Sequence, residues 1–346
     1  MKIHLPSGEV STLSDAIALC PYLLDFNLPY FDATVRQLIA LDPALNDLHF
    51  LLTRRVNELP NYDANKLSKL IVLLLGDEWC RVPSYATKVL AVFKCYGTRP
   101  KLTLHRQAYY LNAVTLLQYL RVFCKDLRRW DMRRKNVFPL PLGYFRQADL
   151  PIKEILDRSC DVSFVGSIQN LPDNRLSRGI KTLLRSPKIL SRLSMVSQVS
   201  QWQSLGDYNI DVRLTSRFPH AKQSSELSDY SQRMMNTKIC LSPRGTSFET
   251  FRYFEALRYG CVLISEPVPD HWFYRDSPSI YLNDWRQLPV LLEDLLSSPE
   301  RLRALHRKAL HWWETKCSPA ALSARIYQDI RSVHPALCVD LEDSLG

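Results

Sequence analysis

Glycine is scarce in this chain, with 10 residues in 346. Each glycine beside a strand-like run therefore marks a tight turn or a close approach of the backbone to something else. A long apolar run is missing too. The most apolar stretch, "KLIVLLLGDEW", has the length of a strand and stops at Asp77 and Glu78. A membrane helix needs about 20 apolar residues, so none is expected. The start, "MKIHLPSGEVSTLSDAIALC", lacks the charged head and apolar centre of a signal peptide. The nine cysteines contain no C-x-x-C pair and the histidines no H-x-x-x-H pair. That pattern suits reduced, mostly buried thiols in a cytoplasmic protein, and it argues against a structural zinc site. No D-x-D metal motif, Walker-type G-K-[ST] or G-x-G-x-x-G loop stands out. Low-complexity segments and repeats are absent as well.

What is present is positive charge. The net charge is +10 and the pI is about 9.1, while hydrophobic content is an ordinary 46%. A basic surplus suits an anionic partner such as a phosphorylated metabolite, an acidic polymer or nucleic acid. The densest basic run is "CKDLRRWDMRRK", Cys124 to Lys135. A nucleic-acid surface and a solvated helix face both fit it. Asp126 and Asp131 interrupt the run and Trp130 is its only aromatic residue, which favours the solvated face.

The length allows two domains. The first ~60 residues have apolar positions at helical spacing, in "STLSDAIALCPYLLDF" and "FDATVRQLIALDPALNDLHFLL". Strand-like runs follow: "LIVLLLG", "VLAVFKCYG" and "NVFPLPLGY". Near residue 150 the alternation restarts with "DVSFVGS", a strand ending in Gly166-Ser167. Further strands are expected in "QSLGDYNIDVRLT", "KICLS", "GCVLI" and "SIYLND", with helices between and after them. Alternation of this kind implies parallel α/β sheets. The expected division is residues 1–150, residues 151–325 and a tail of 326–346.

One stretch concentrates the chemistry: "KICLSPRGTSFETFRYFEALRYGCVLI", Lys238 to Ile264. It reads as strand, turn, helix, strand. In open parallel sheets, ligands sit beyond the carboxyl ends of strands, and "SPRGTS" lies there. Pro243 and Gly245 make a tight turn. Thr246 or Ser247 is placed to cap the helix. Free amides of a first helical turn suit a phosphate, and Arg244 adds a forked donor. Arg252 and Glu255, three apart, share one helix face. Such a carboxylate can accept from sugar hydroxyls and such an arginine can neutralise a diphosphate. The bland alternative is a βαβ unit carrying a surface Arg–Glu pair.

The wider segment, "YSQRMMNTKICLSPRGTSFETFRYFEALRYGCVLISE", resembles the donor-binding region of exostosin-family glycosyltransferases. Thr250 stands where the family has serine. Arg252, Glu255 and Gly260-Cys261 match directly, and Leu263 replaces the usual proline. The resemblance implies the GT-B architecture, two Rossmann-like domains facing across a cleft, with a nucleotide sugar bound by the second. It assigns Glu255 to the ribose hydroxyls and Arg252 with Arg244 to the diphosphate. It also places Gly166, Ser167 and a following arginine, Arg175 or Arg178, at the donor. "HWWETKCSPAALSARIYQDI" resembles the family's tail. The acidic-aromatic signatures that exostosins carry in their first half, of the type "GRDHFF" and "HDWG", are not found.

Glycosyl transfer needs a stabilised leaving group, a base and alignment. Arginines and helix amides can serve the leaving diphosphate, so no metal or other cofactor is expected beside a donor expected to be UDP-linked. For the base, Asp77 and Glu78 are the candidates at a strand end, with His105 ranked behind them. The alternative is that Asp77 caps the next turn and Glu78 pairs with Arg81. Asp270 and His271, in "PVPDHWF", are expected beside the donor. The acceptor is expected to be a glycan or polyol hydroxyl, and nucleic acid is not expected as a partner. A non-catalytic basic α/β protein binding nucleic acid or an anionic polymer is the competing class.

Overall fold

The computed structural model describes residues 3–4, 10–11, 28–78, 80–98, 116–117, 120, 136–145, 148–167, 187–204, 206–215 and 224–335. These form two compact units. One draws on the described residues within 1–100, 121–146 and 314–346, and the other on those within 101–120 and 147–313.

The first unit holds strands β1 (Ile3–His4), β2 (Val10–Ser11), β3 (His49–Thr53), β4 (Leu70–Leu74), β5 (Ala91–Lys94) and β6 (Val137–Pro139). They form one sheet in the order β2-β1-β3-β4-β5-β6, parallel except for the β1–β2 pair. Helix α1 (Leu28–Leu41) and the short α2 (Ala64–Ser68) precede β3 and β4. All five residues of β4 are buried, as a central parallel strand requires.

Helical periodicity overreached here. The expected helix "FDATVRQLIALDPALNDLHFLL" ends at Leu41, and β3 occupies its last part. Pro43 disfavours the α conformation at Asp42. Asp42 is accordingly extended and caps a 3-10 turn over Pro43–Asp47, accepting from Ala44 N. "STLSDAIALCPYLLDF" lies, apart from its first residue, outside the described residues.

The second unit contains β7 (Cys160–Ser167), α3 (Pro187–Gln203), β8 (Ile210–Thr215), α4 (Ser224–Met235), β9 (Thr237–Ser242), α5 (Phe251–Arg258), β10 (Val262–Ser265), β11 (Ile280–Tyr281), α6 (Leu288–Leu296) and α7 (Pro299–Trp312). Its five strands are all parallel, in the order β11-β10-β9-β7-β8. Alternate residues Val162 and Phe164 of β7, Ile239 and Leu241 of β9, and Val262 and Ile264 of β10 share one core with Met195, Val199 and Trp202 of α3. Fully burying a side chain such as Phe164 is worth roughly 1.5–3 kcal/mol. The α/β class with two parallel sheets is thus as the sequence implied.

A π-turn over Trp313–Cys317 follows α7, and α8 (Pro319–Val333) packs against α1 in the first unit. Tyr327 Oη donates to Asp42 Oδ2 at 3.1 Å, and Tyr30 Oη donates to the Cys317 carbonyl at 2.7 Å. The last helix therefore starts before residue 326, where the sequence reading placed the tail. Among the described residues no helix is long and apolar enough to cross a membrane. The six described cysteines are free thiols.

Gly260 shows why a glycine closes α5. It adopts φ +70°, and a Cβ there would lie 2.5 Å from His306 Nδ1. His306 Nδ1 donates to the Gly260 carbonyl at 2.7 Å. Burial lowers the His306 pKa; the Gly260 bond opposes this, Arg158 and Arg307 add to it, and Glu154 opposes it. A histidine depressed below its unfolded value of about 6.5 contributes stability that is complete above that pH. It is lost as pH falls through the lower folded value. The melting temperature should thus drop more for the parent than for His306→Gln between about pH 7.5 and pH 5. Parallel slopes in differential scanning fluorimetry would remove His306 as the cause.

Candidate functional site

The second sheet reverses its strand order between β7 and β9. The chain adds β8 on one side of β7, then returns to lay β9 on the other. Such a reversal opens a crevice at the carboxyl ends of the two strands. Here those ends are Gly166-Ser167 and Ser242, and the turn from Pro243 leads directly into α5.

Arg252 reaches back from α5 to β7. Its Nη2 donates to the Val165 carbonyl, and its guanidinium lies 4.5 Å from the Phe164 ring centroid. Gly166 makes the space, because a Cβ there would sit 2.8 Å from Arg252 Nη2. The Arg252 Nε is buried and makes no hydrogen bond among the described residues. Glu255, one turn on and 3% exposed, accepts from Tyr230 Oη at 2.8 Å. Burial first, then the Glu255 charge, holds the Tyr230 phenol well above its usual pKa. It therefore remains a donor.

Arg244 is 3% exposed, stacks 3.8 Å from the Phe248 ring centroid, and donates from Nη2 to the Thr246 carbonyl at 3.2 Å. Its backbone amide donates to Glu266 Oε2 at 3.1 Å, which pins the turn to the end of β10. Glu266 Oε1 accepts from Ser191 Oγ at 2.7 Å and Trp285 Nε1 at 3.1 Å. Gly245 has no positive φ, and a Cβ there would meet its nearest neighbour at 3.6 Å, an ordinary contact. Nothing among the described residues demands glycine at this position.

The expected caps are corrected. The N-cap of α5 is Thr250, not Thr246 or Ser247, and its side chain makes no capping bond. Thr250 Oγ1 instead lies 2.9 Å from Ser242 Oγ, while Ser247 Oγ accepts from Glu249 N at 3.3 Å. The Thr250 side chain therefore caps no amide of α5, and Tyr253 N donates to the Thr250 carbonyl at 3.2 Å.

Two cations not singled out by the sequence join this crevice from α3. Arg192, 7% exposed, donates from Nη1 to the Ser167 carbonyl and from Nε to the Arg244 carbonyl at 3.2 Å. Lys188 Nζ donates to Ser167 Oγ at 3.1 Å. The signal for Arg192 was readable, since it falls in phase with Met195, Val199 and Trp202 on the buried face of α3. An arginine there has to be bonded to something inside. Glu266 and Tyr230 are joined to the site only by tertiary contacts. Lys188, Arg192 and Arg252 thus bond the end of β7 or the Arg244 turn, Glu266 holds the Arg244 amide, and Tyr230 holds Glu255.

Other candidates fall elsewhere. Asp270 is exposed and pairs with Arg275 Nε at 3.1 Å. His271 is buried against Phe273 and Tyr274. In the first unit, Asp77 follows β4 with φ +79°. Its fully buried carboxylate accepts from Arg81 N at 2.7 Å and Arg81 Nε at 2.6 Å, and lies 3.3 Å from Lys94 Nζ. Asp77 therefore caps the next turn and binds Arg81, the arginine named as a partner for Glu78. An aspartate enclosed in this way is not placed to take a proton from a ligand. Glu78 stands in the same turn, partly exposed. His105, Arg175, Arg178 and the Cys124–Lys135 run lie outside the described residues. Among the described residues no three His, Cys, Asp or Glu side chains gather as a metal set.

No family model matches the chain. Exostosin-1 homolog of Caenorhabditis elegans is 34% identical over 82 residues, 23% of this chain and 20% of that protein. Exostosin-1a of Danio rerio is 32% identical over 81 residues, 23% of this chain and 10% of that protein. The chain therefore spans a fifth or less of the length of these relatives. Among solved structures, a glycosyltransferase from Rickettsia africae ESF-5 superposes with a TM-score of 0.46 at 10% identity, covering 90% of this chain and 96% of that one. Over roughly a quarter of its length, this chain is exostosin-like in sequence.

Proposed function

We propose that the chain is a nucleotide-sugar-dependent glycosyltransferase whose second unit holds the donor. The observation that carries this reading is the convergence of Arg252, Arg192 and the Arg244 turn on the crevice between β7 and β9. A diphosphate leaving group gains charge as the glycosidic bond breaks. Fixed guanidinium groups and the positive end of the α5 dipole stabilise that charge without reorganising. Lys188 adds a further cation beside Ser167. These groups make a metal unnecessary, so the reaction is proposed to be metal-independent.

Glu255 would accept from the ribose hydroxyls of a UDP-type donor, one helical turn from Arg252. The sugar passes to a hydroxyl of a glycan or polyol, with inversion, after a carboxylate removes the acceptor proton. Glu78, partly exposed beside the enclosed Asp77, is proposed as this base.

The test is a thermal-shift and hydrolysis screen against nucleotide sugars. At least one nucleotide should raise the melting temperature, as any ligand of the native state does. The matching sugar nucleotide should be hydrolysed slowly, with or without EDTA. A full panel that neither stabilises the protein nor is turned over would overturn the reading.

A further inference from the structure

Glu255 on α5 is bonded from another helix. The donor to its Oε2 is Tyr230, 25 residues earlier, on the helix that leads into β9. We propose that Tyr230 is a positioning residue that sets the rotamer of Glu255 and thereby the selectivity for ribose over deoxyribose at this site. The inference rests on the proposed donor reading, which gives Glu255 the ribose.

The physical case has three parts. A carboxylate that chelates two vicinal hydroxyls must present its oxygens in a fixed plane, and a glutamate has three torsions to fix. A bond from a rigid phenol, which has only two, removes much of that freedom at small entropic cost. Second, the phenol stays protonated across the physiological range, because burial and the Glu255 charge both oppose its ionisation. The contact is thus a permanent donor and does not switch with pH. Third, Tyr230 also feels Arg252. One side chain on α4 therefore stands beside both members of the Arg252–Glu255 pair. A free carboxylate next to Arg252 could rotate onto the guanidinium, and the Tyr230 bond competes with that rotation.

The experiment compares UDP with 2′-deoxy-UDP by calorimetry, in the parent, in Tyr230→Phe and in Glu255→Gln. In the parent, losing a hydroxyl that bonds a charged acceptor should weaken binding by about tenfold or more. In Tyr230→Phe the two ligands should bind within about threefold of each other, because the loosened carboxylate no longer distinguishes them. UDP itself should weaken, while the phosphate contacts persist and inorganic pyrophosphate binds as in the parent. A merely structural role for Tyr230 would lower the melting temperature and weaken both ligands equally, leaving the ratio unchanged; that outcome overturns the proposal. If the parent itself shows no ribose preference, or does not bind UDP, the failure belongs to the donor reading. If Tyr230→Phe does not fold, Tyr230→Leu with the same ligand pair replaces it.

Discussion

Arg158→Met should destabilise the second unit by about 3–5 kcal/mol, the range seen when one partner of a buried charged contact is removed. Arg158 is 2% exposed and precedes β7. Its guanidinium donates to the carbonyls of Lys153 at 2.9 Å, Thr237 at 2.9 Å and Tyr259 at 2.6 Å, and touches Cys261 Sγ at 3.4 Å. One side chain thus ties the entry of β7, the start of β9 and the end of α5. The Tyr259 contact also puts a cation at the negative end of the α5 dipole. Methionine restores much of the volume and none of the donors. Two buried carbonyls and the part-buried Lys153 carbonyl would lose a partner, the buried ones at about 1–3 kcal/mol each, partly recovered by relaxation. The melting temperature should fall on the order of 10 °C for a unit of this size. Arg158→Lys should recover part of the loss, because an ammonium reaches fewer carbonyls than a fork of donors. A change under about 1 kcal/mol for Arg158→Met would mean that water replaces the guanidinium and that α5 needs no such anchor.

Arg158 also marks the limit of what the sequence discloses. It sits in "ILDRSC", a stretch with no motif, and apart from Lys153 the partners named above lie 79 to 103 residues away. Nothing local distinguishes it from a solvated arginine. The strands β4, β5, β7, β9 and β10 were legible because their apolar runs end at glycines or polar turns. β3 was not, because "LHFLL" follows a helical period without a break other than Pro43. Arg252 and Glu255 were legible as a pair on one helix face. The strand reversal that gives them a crevice was not, since strand order is set by packing and does not appear in local pattern. For the same reason Lys188, Arg192 and Tyr230 join the site only when α3 and α4 are in place. Asp77 shows the converse. Its position after a buried strand suited both a base and a cap, and the buried Lys94, invisible as a partner 17 residues on, decides for the cap.

Arg252→Ala should lower turnover by about 100-fold or more, the loss typical of removing one fixed donor from a developing charge. Glu255→Gln should weaken nucleotide binding by about tenfold with a smaller effect on turnover. The difference follows from when each contact matters. Ribose hydroxyls carry the same charge before and during bond cleavage, so Glu255 acts on ground state and transition state alike. The diphosphate becomes more negative as the sugar departs, so Arg252 contributes most at the transition state. Glutamine keeps the size of Glu255 and an oxygen able to accept from Tyr230 Oη, so the α4–α5 contact survives. Alanine at 252 removes the bond to the Val165 carbonyl and the stacking on Phe164. A stability loss is therefore expected, and rates must be normalised to folded protein by circular dichroism. Gly166→Ala supplies a second handle on the same atoms, since its Cβ would displace Arg252 Nη2 while the guanidinium charge is kept. Its turnover should fall between parent and Arg252→Ala. If Arg252→Ala and Glu255→Gln both stay folded, bind UDP and turn over like the parent, the β7–β9 crevice does not hold the donor.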